Sequence, residues 1–373
     1  MLLAEPKGPD PSPAVLMTAD TVGGVWSYAL SLCRALPETR FVVATMGPRP
    51  RRAQRDEIRV LENATLVESD QSLEWMLQPS FDFRKSRDWL IHVIEAHDVD
   101  IVHVNGYAHA RLGGPWPVLL VAHSDVLSWW QAVHKCAASP EWNDYRQRVA
   151  AGLAAATRII APTVAVLQDL EHHYGPLASD AQVIPNGSAF GHLRPVAKRP
   201  LVLGAGRLWD AAKNLAAMDE VAPRLLWPVE IAGDIAHPEG GFFQSRNVRL
   251  LGHLTVQEMT RHLGNASIFV APALYEPFGL AILEAAAAGC ALVLGDIPSL
   301  RENWDGAAEF VDPDDRSALA FAINALIGSA EWRDRLASAA RDRARRFTLQ
   351  RMAQSYDQIY HDLARNSARL ETA

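Results

Sequence analysis

The chain has 373 residues, 49% hydrophobic and 21% charged, with a formal net charge of −7. That length allows two or three domains with real cores, and the acidic balance excludes a global basic field for nucleic acid. Cys33, Cys136 and Cys290 lie far apart and form no CxxC, which argues against a disulfide framework or a zinc site and fits a reducing compartment.

The first segment, "MLLAEPKGPDPSPA", has acid and proline where an export signal needs an apolar core. No apolar run has the length of a membrane span, so the cytoplasm is the expected compartment. Apolar runs at 14–18, 41–45, 100–104, 118–122, 158–162 and 182–186 are nearly continuous, not alternating. Parallel strands covered on both faces read this way. Helical patterns at 25–36, 84–97, 142–156 and 163–174 fall between them, which makes a βαβ series. A stretch rich in Gly, Pro and charge, 187–200, interrupts the series, and strands at 201–206, 229–233, 248–252, 267–272, 291–295 and 308–312 restart it. The expected fold class is therefore α/β, with two Rossmann-like doubly wound parallel sheets in residues 1–190 and 191–347 and a linker near 187–199. Residues 348–373 predict a tail helix, with Thr348 as N-cap and Met352, Tyr356, Ile359, Tyr360 and Leu363 on one stripe. Two tyrosines in that stripe need a surface to pack on, and the N-terminal domain is the candidate.

Several stretches can carry chemistry. Gly23 and Gly24 follow the first strand and open a helix, where backbone N–H groups can approach a phosphate; a structural turn is the alternative. His123 ends a strand and reads either as a catalytic group or as a hydrogen-bonded edge residue. Asp125, Trp129 and Trp130 follow it. Aromatic rings stack on sugars, which suits an acceptor pocket, but they also serve plain packing. Arg207 and Lys213, in "GRLWDAAKNL", follow the first strand of the second series; two cations at the carboxyl edge of a sheet suit a diphosphate, the alternative being solvated surface charge. In "EPFGLAILEAAAAGC", Gly279 opens a helix whose N-terminus is another anion site. Glu276 precedes it, and Glu284 lies just over one turn in, among apolar residues. A lone carboxylate there is costly unless it is paired with a buried Arg or reaches a ligand. Ionised carboxylates only accept hydrogen bonds, so they suit sugar hydroxyls on either side of a diphosphate, the anatomy of a nucleotide sugar. The arginines at 49, 51, 52, 55 and 59 read as a solvated loop, with weak peripheral contact to an anionic inner membrane face as the alternative. No histidine spacing resembles H-E-x-x-H.

These stretches share an order. "EPFGLAILE" resembles the E-x7-E motif of retaining glycosyltransferases of the GT-B fold, family 4 (glycosyl transferases group 1). "GRLWDAAKN" is similar to that family's G-R-x5-K-N element, "VIPNGS" to its I-P-N-G segment and "APTVAV" to its S-P-S segment, while "GDIPSLRE" and "VDPDD" match the order of its last elements. The resemblance runs from Gly23 to the tail helix. Ser188 and Ala189 depart from it, standing where the family often has Val-Asp. It implies two domains facing across a cleft and roles for matching residues. Arg207 and Lys213 would bind the donor diphosphate, Glu276 the transferred sugar and Glu284 the ribose hydroxyls. Gly279 and Leu280 would offer backbone amides, Gly24 would face the phosphates, and His123 would sit near the reacting sugar. The implied activity is metal-independent, retaining transfer of a hexosyl unit from a UDP- or GDP-sugar to a glycan, lipid-linked or small-molecule hydroxyl. It requires no cofactor beyond the nucleotide-sugar co-substrate. A nucleotide-sugar 2-epimerase of the same fold and a non-catalytic sugar-binding protein stay open as rivals.

Overall fold

Alternate residues of the first strand bury on opposite sides of a sheet: Leu16 packs with Val42, Val102 and Leu120, whereas Val15 and Met17 pack with Val43, Ile101 and Leu119. Double coverage of this kind is what a near-continuous apolar run specifies. A computed structural model describes residues 12–76, 81–177, 180–189, 197–236 and 242–371. Its first sheet contains β1 (Ala14–Asp20), β2 (Arg40–Met46), β3 (Ala64–Glu68), β4 (Ile101–Val104), β5 (Val118–Val121), β6 (Arg158–Ala161) and β7 (Ala181–Val183). All pairs are parallel, in the order β3-β2-β1-β4-β5-β6-β7. The second contains β8 (Arg199–Ala205), β9 (Val229–Ala232), β10 (Arg249–Gly252), β11 (Ala266–Ala271), β12 (Ala291–Gly295) and β13 (Glu309–Val311), parallel in the order β10-β9-β8-β11-β12-β13.

Six helices accompany the first sheet among the described residues: α1 (Gly24–Ala35), α2 (Arg52–Arg59), α3 (Phe83–Ala96), α4 (Val126–His134), α5 (Asn143–Ala155) and α6 (Val164–Tyr174). With the second lie α7 (Ala216–Val221), α8 (Val256–Asn265), α9 (Leu280–Ala287), α10 (Pro298–Trp304), α11 (Arg316–Gly328) and α12 (Ala330–Ala344). The tail is α13 (Leu349–Glu371).

Both sheets reverse strand order next to their first strand, between β1 and β4 and between β8 and β11. Ligands of open α/β sheets bind outside the carboxyl ends of strands at such switch points. The loops that matter therefore follow β1, β4 and β5 on one side and β8 and β11 on the other.

The chain crosses between the sheets twice, and the crossings touch. Ser188 bridges Thr348, with Ser188 N–H donating to Phe347 C=O (3.1 Å) and Leu349 N–H to Ser188 C=O (3.2 Å). Only glycine fits beside them, because a Cβ on Gly187 would lie 2.5 Å from the Thr348 carbonyl oxygen. Much of the linker expected at 187–199, residues 190–196, lies outside the described residues. The Thr348 hydroxyl then accepts from Arg351 N–H (3.3 Å), starting α13. Met352, Tyr356, Ile359, Tyr360 and Leu363 all bury in the core shared with β1 and α1, so the tail helix returns to the first sheet.

One stretch folds otherwise than expected. Residues 52–59 are helix, not loop, and their charges are matched: Arg55 holds Glu68 bidentately (2.6 and 2.7 Å), Arg59 and Arg52 pair with Asp56 (3.3 and 3.8 Å), and Arg49 lies 4.0 Å from Asp70. Only Ile58 of α2 is buried, so the helix presents no broad apolar face to a membrane. Among the described residues no helix is long and apolar enough to cross one.

Candidate functional site

The carboxyl edges of the two sheets enclose a cleft of ≈ 910 Å³. On its first wall, β1 ends and Gly23 takes φ 103°, a left-handed conformation that favours glycine. A Cβ there would also lie 2.7 Å from Arg207 Nη1, so the glycine loop and the arginine face each other across the cleft. α1 starts at Gly24 and α9 at Leu280, and neither N-cap, Gly23 or Gly279, offers a capping side chain. The first N–H groups of both helices are thus left for a ligand. A Leu280 methyl lies 4.0 Å from the Cβ position of Gly24, which brings the two helix starts together.

Arg207 follows β8, donates to Asp210 Oδ2 (2.6 Å) and lies over the Trp209 ring (5.2 Å). Lys213 Nζ donates to Glu276 Oε2 at 2.6 Å, joining the loops after β8 and β11. Burial pushes the Asp210 carboxyl up, but the Arg207 and Lys213 cations outweigh it and hold the group below the usual carboxylate range. Glu284 stands apart from these. It lies one turn behind the part of α9 that lines the cleft, and no hydrogen bond or ion pair engages its carboxylate among the described residues. Burial alone raises its pKa to about 7. The alternative of a buried Arg partner is not what the structure shows.

On the opposite wall His123 follows β5, with Nε2 2.8 Å from Asn105 Oδ1 and its ring edge-on to Tyr28 at 4.6 Å. Burial lowers its pKa to about 4, so the imidazole is neutral at physiological pH. Asp125 lines the cleft, and its carboxylate also serves the fold. It caps α4 through Leu127 N–H (2.9 Å) and Ser128 N–H (3.1 Å), and it accepts the hydroxyls of Tyr174 (2.8 Å) and Ser128. Three of these four donors fall on Oδ1 and one on Oδ2, so Oδ2 keeps a lone pair for the acceptor contact that the sequence suggests. Trp129 Nε1 donates across the cleft to Asp210 Oδ1 (3.0 Å), so this indole clasps the two domains. Trp130 packs on His134 (4.3 Å) and near Trp142 (6.4 Å), and with Trp75 these indoles line the wall.

The structure thus gathers Gly24, His123, Asp125, Trp129, Trp130, Arg207, Lys213, Glu276, Gly279 and Leu280 around one cleft. It adds residues that the sequence reading missed. Asp20 ends β1, receives the Val22 N–H and has its carboxyl raised by burial to about 6. Asn105 follows β4 at the switch point, and Tyr275 accepts from Asp125 N–H across the domains (3.4 Å). A polar residue just past a central strand was the available signal for Asp20 and Asn105. Among the described residues no three His, Cys, Asp or Glu side chains are grouped to hold a metal ion.

Comparison with known proteins agrees with this geometry. Residues 22–188 match the model of Glycosyltransferase Family 4, and residues 199–329 that of Glycosyl transferases group 1. A phosphatidyl-myo-inositol mannosyltransferase of Mycobacterium tuberculosis is 24% identical over 386 residues, covering 95% of this chain and 97% of its own. A glycogen synthase of the same organism is 31% identical over 221 residues, 54% of this chain, and the match spans about half (53%) of that relative's length. Among solved structures, sucrose-phosphate synthase from Thermosynechococcus elongatus shares the fold with a TM-score of 0.76 at 17% identity, over 94% of this chain and 99% of that one. HepE of Anabaena, solved with UDP and glucose, shares it with a TM-score of 0.73 at 16% identity, over 94% and 100%. With two parallel-sheet α/β domains, each matched by one half of the family's models, the chain belongs to the family 4, group 1 glycosyltransferases of the GT-B fold.

Proposed function

We propose that this protein is a retaining, metal-independent glycosyltransferase that moves a hexosyl unit from a UDP- or GDP-sugar to an uncharged hydroxyl acceptor. The observation that carries the reading is convergence: Arg207, Lys213 and two uncapped helix N-termini meet at one place in the cleft. Glu276 is beside them and Glu284 one turn beyond. A diphosphate fits between the cations and the amides, the sugar toward Glu276 and the ribose toward Glu284. HepE, solved with UDP and glucose, lends support at the level of fold.

The chemistry follows from charge. As the glycosidic bond breaks, the diphosphate gains negative charge, and preorganised cations and amides stabilise the transition state more than the ground state. Arg207 and Lys213 already lie in place, tethered by Asp210 and Glu276. Glu276 can then accept a sugar hydroxyl as positive charge develops on the ring. The acceptor hydroxyl attacks from the face that the diphosphate leaves, with a phosphate oxygen taking its proton, so the anomeric configuration is kept. Interdomain bonds such as Trp129 to Asp210 hold the cleft closed against water.

The acceptor wall favours a neutral, ring-bearing compound. The described N-terminal residues lining the cleft include Trp75, Trp129, Trp130 and Trp142 but no Lys or Arg, and Asp20 is among them. A phosphorylated acceptor would meet carboxylates there without a cation. That second-substrate wall also favours transfer over the epimerase reading.

The test is a thermal-shift screen against UDP-, GDP- and ADP-sugars, followed by turnover of the stabilising donor with neutral and phosphorylated sugars in excess chelator. The expected result is stabilisation by one donor class and a product of unchanged anomeric configuration. An epimerised nucleotide sugar formed without acceptor, an inverted product, or binding without turnover would each defeat the proposal.

A further inference from the structure

Behind His123, a line of side chains leads out of the cleft to the tail helix. The Tyr360 hydroxyl lies 2.7 Å from His103 Nδ1, His103 Nε2 lies 3.2 Å from Asn105 Oδ1, and that same oxygen lies 2.8 Å from His123 Nε2. His103 and Tyr360 are fully buried, so these groups have no water to fall back on.

The protons in this line can be assigned from the bonds around it. Asn105 Nδ2 donates to the Thr18 carbonyl oxygen at 2.6 Å, and Asn105 N–H donates to the Thr18 hydroxyl at 2.9 Å. The amide nitrogen is therefore on the Thr18 side, and the amide oxygen is the atom that faces both rings. An amide oxygen only accepts, so each ring must carry its hydrogen on Nε2. A neutral imidazole with Nε2–H has a bare Nδ1. His103 Nδ1 then accepts from the Tyr360 hydroxyl, and the line closes without a conflict. For His123, Nδ1 is left as the ring's one polar atom without a protein partner among the described residues. The rings packed on the two imidazoles are those of Tyr28, Tyr356 and Tyr360, and the Tyr28 hydroxyl lies 3.5 Å from His103 Nε2, farther than the Asn105 oxygen.

We propose that Asn105 is a positioning residue that holds His123 as the Nε2–H tautomer, so that Nδ1 accepts a hydrogen bond from a substrate hydroxyl, and that Tyr360 of the tail helix, through His103, holds Asn105 in turn. The proposal rests on the reading of His123 as a group that meets substrate. It makes α13 part of the site, although the reacting groups lie on the loops of the two sheets. It also makes His123 an acceptor: a neutral ring with its hydrogen tied to Asn105 presents Nδ1 to a hydroxyl and orients it.

A double-mutant cycle tests this. Donor turnover and nucleotide Kd are measured for Asn105→Ala, Tyr360→Phe and His123→Ala, and for each of the first two combined with the third. Tyr360→Phe keeps the ring and its packing, so it separates the hydrogen bond from folding. Asn105→Ala should lower kcat about three- to tenfold, the worth of one hydrogen bond, and Tyr360→Phe about two- to threefold, with nucleotide Kd changed by less than about twofold. In the His123→Ala background both changes should have no further effect on kcat. Losses that multiply instead would overturn the proposal, because the residues would then act independently of His123. A second readout does not depend on turnover: ¹⁵N-histidine spectra should show His103 and His123 protonated at Nε2 alone. A proton on Nδ1 of either ring would overturn the assignment. If His123→Ala left kcat unchanged, the substrate role of His123 would fall, and the spectra would still decide whether Asn105 sets the tautomer.

Discussion

Glu284→Gln separates what this carboxylate costs the fold from what it gives a ligand. In the folded protein burial raises its pKa from 4.5 to about 7, and no partner offsets that desolvation. The gap of about 2.5 pH units, at about 1.4 kcal/mol each, corresponds to about 3.5 kcal/mol of lost stability. The folded state binds the proton more tightly than the unfolded chain. The contribution of this group to stability is therefore greatest below pH 4.5, falls as pH rises toward 7, and is lowest above it. Glutamine is nearly isosteric and cannot ionise, so the variant should melt higher than the parent above pH 7 and alike near pH 4. If the second sheet and its helices melt as one domain-sized unit, the gain is about 5–10 °C. The functional effect has the opposite sign. A hydrogen bond to a charged group is worth about 1.5–3 kcal/mol, so the Kd for the donor nucleotide should rise about ten- to hundredfold. Thermal melts from pH 4 to 8 and calorimetry with UDP and GDP measure both. A variant that melts lower than its parent above pH 7, with nucleotide affinity intact, would refute the reasoning and make Glu284 a structural group.

Glu276→Gln should behave differently from Glu284→Gln in a full donor titration. On the proposed reading its carboxylate meets the transferred sugar and that of Glu284 the ribose, so the loss at Glu276 should fall on kcat, by about ten- to hundredfold, and the loss at Glu284 should raise KM. Matching kcat and KM profiles in the two variants would sink that division of labour. Glu302, on α10, accepts from Val164 N–H (2.8 Å) and Ala165 N–H (3.0 Å), and so caps α6 of the other domain. Glu302→Gln weakens a cap worth about 0.5–2 kcal/mol, which should open the domains; a larger radius of gyration than the parent by small-angle scattering without nucleotide is the expected result, and identical profiles would count against a latch.

The main strands were legible because each is buried on both faces, and burial writes a continuous apolar run into the sequence. The exceptions obey the same physics. β3 is the edge strand of its sheet and is only partly covered, so "ATLVE" carries no such run. α2 buries a single residue, and hydrophobic periodicity reports only what is buried. In α4, "VLSWWQAVH", the paired tryptophans drew the reading toward a pocket and away from the helix that holds them. The site was legible by position, since its motifs fall on the loops that follow β1, β5, β8 and β11, and sheet topology brings those loops together. Asn105 and Tyr360 belong to no motif. Tyr360 meets His103 across 257 positions of chain, a contact that only the return of α13 to the first sheet creates.

Residue type also leaves unsaid which lone pairs are already in use, and three carboxylates at or beside the cleft make the point. Asp125 receives two backbone N–H groups and two hydroxyls, and that makes it a helix cap. Asp210 receives Arg207, the Trp129 indole and the Ala212 N–H, so it tethers a cation and clasps the domains. Glu284 receives no donor among the described residues, a state that a fold under no other demand would relieve by placing an apolar residue there. From sequence, Asp125 was a candidate for the acceptor pocket and Glu284 for the ribose, while Asp210 was not singled out. Counting their donors separates the groups that stabilise the fold from the one whose burial costs it stability.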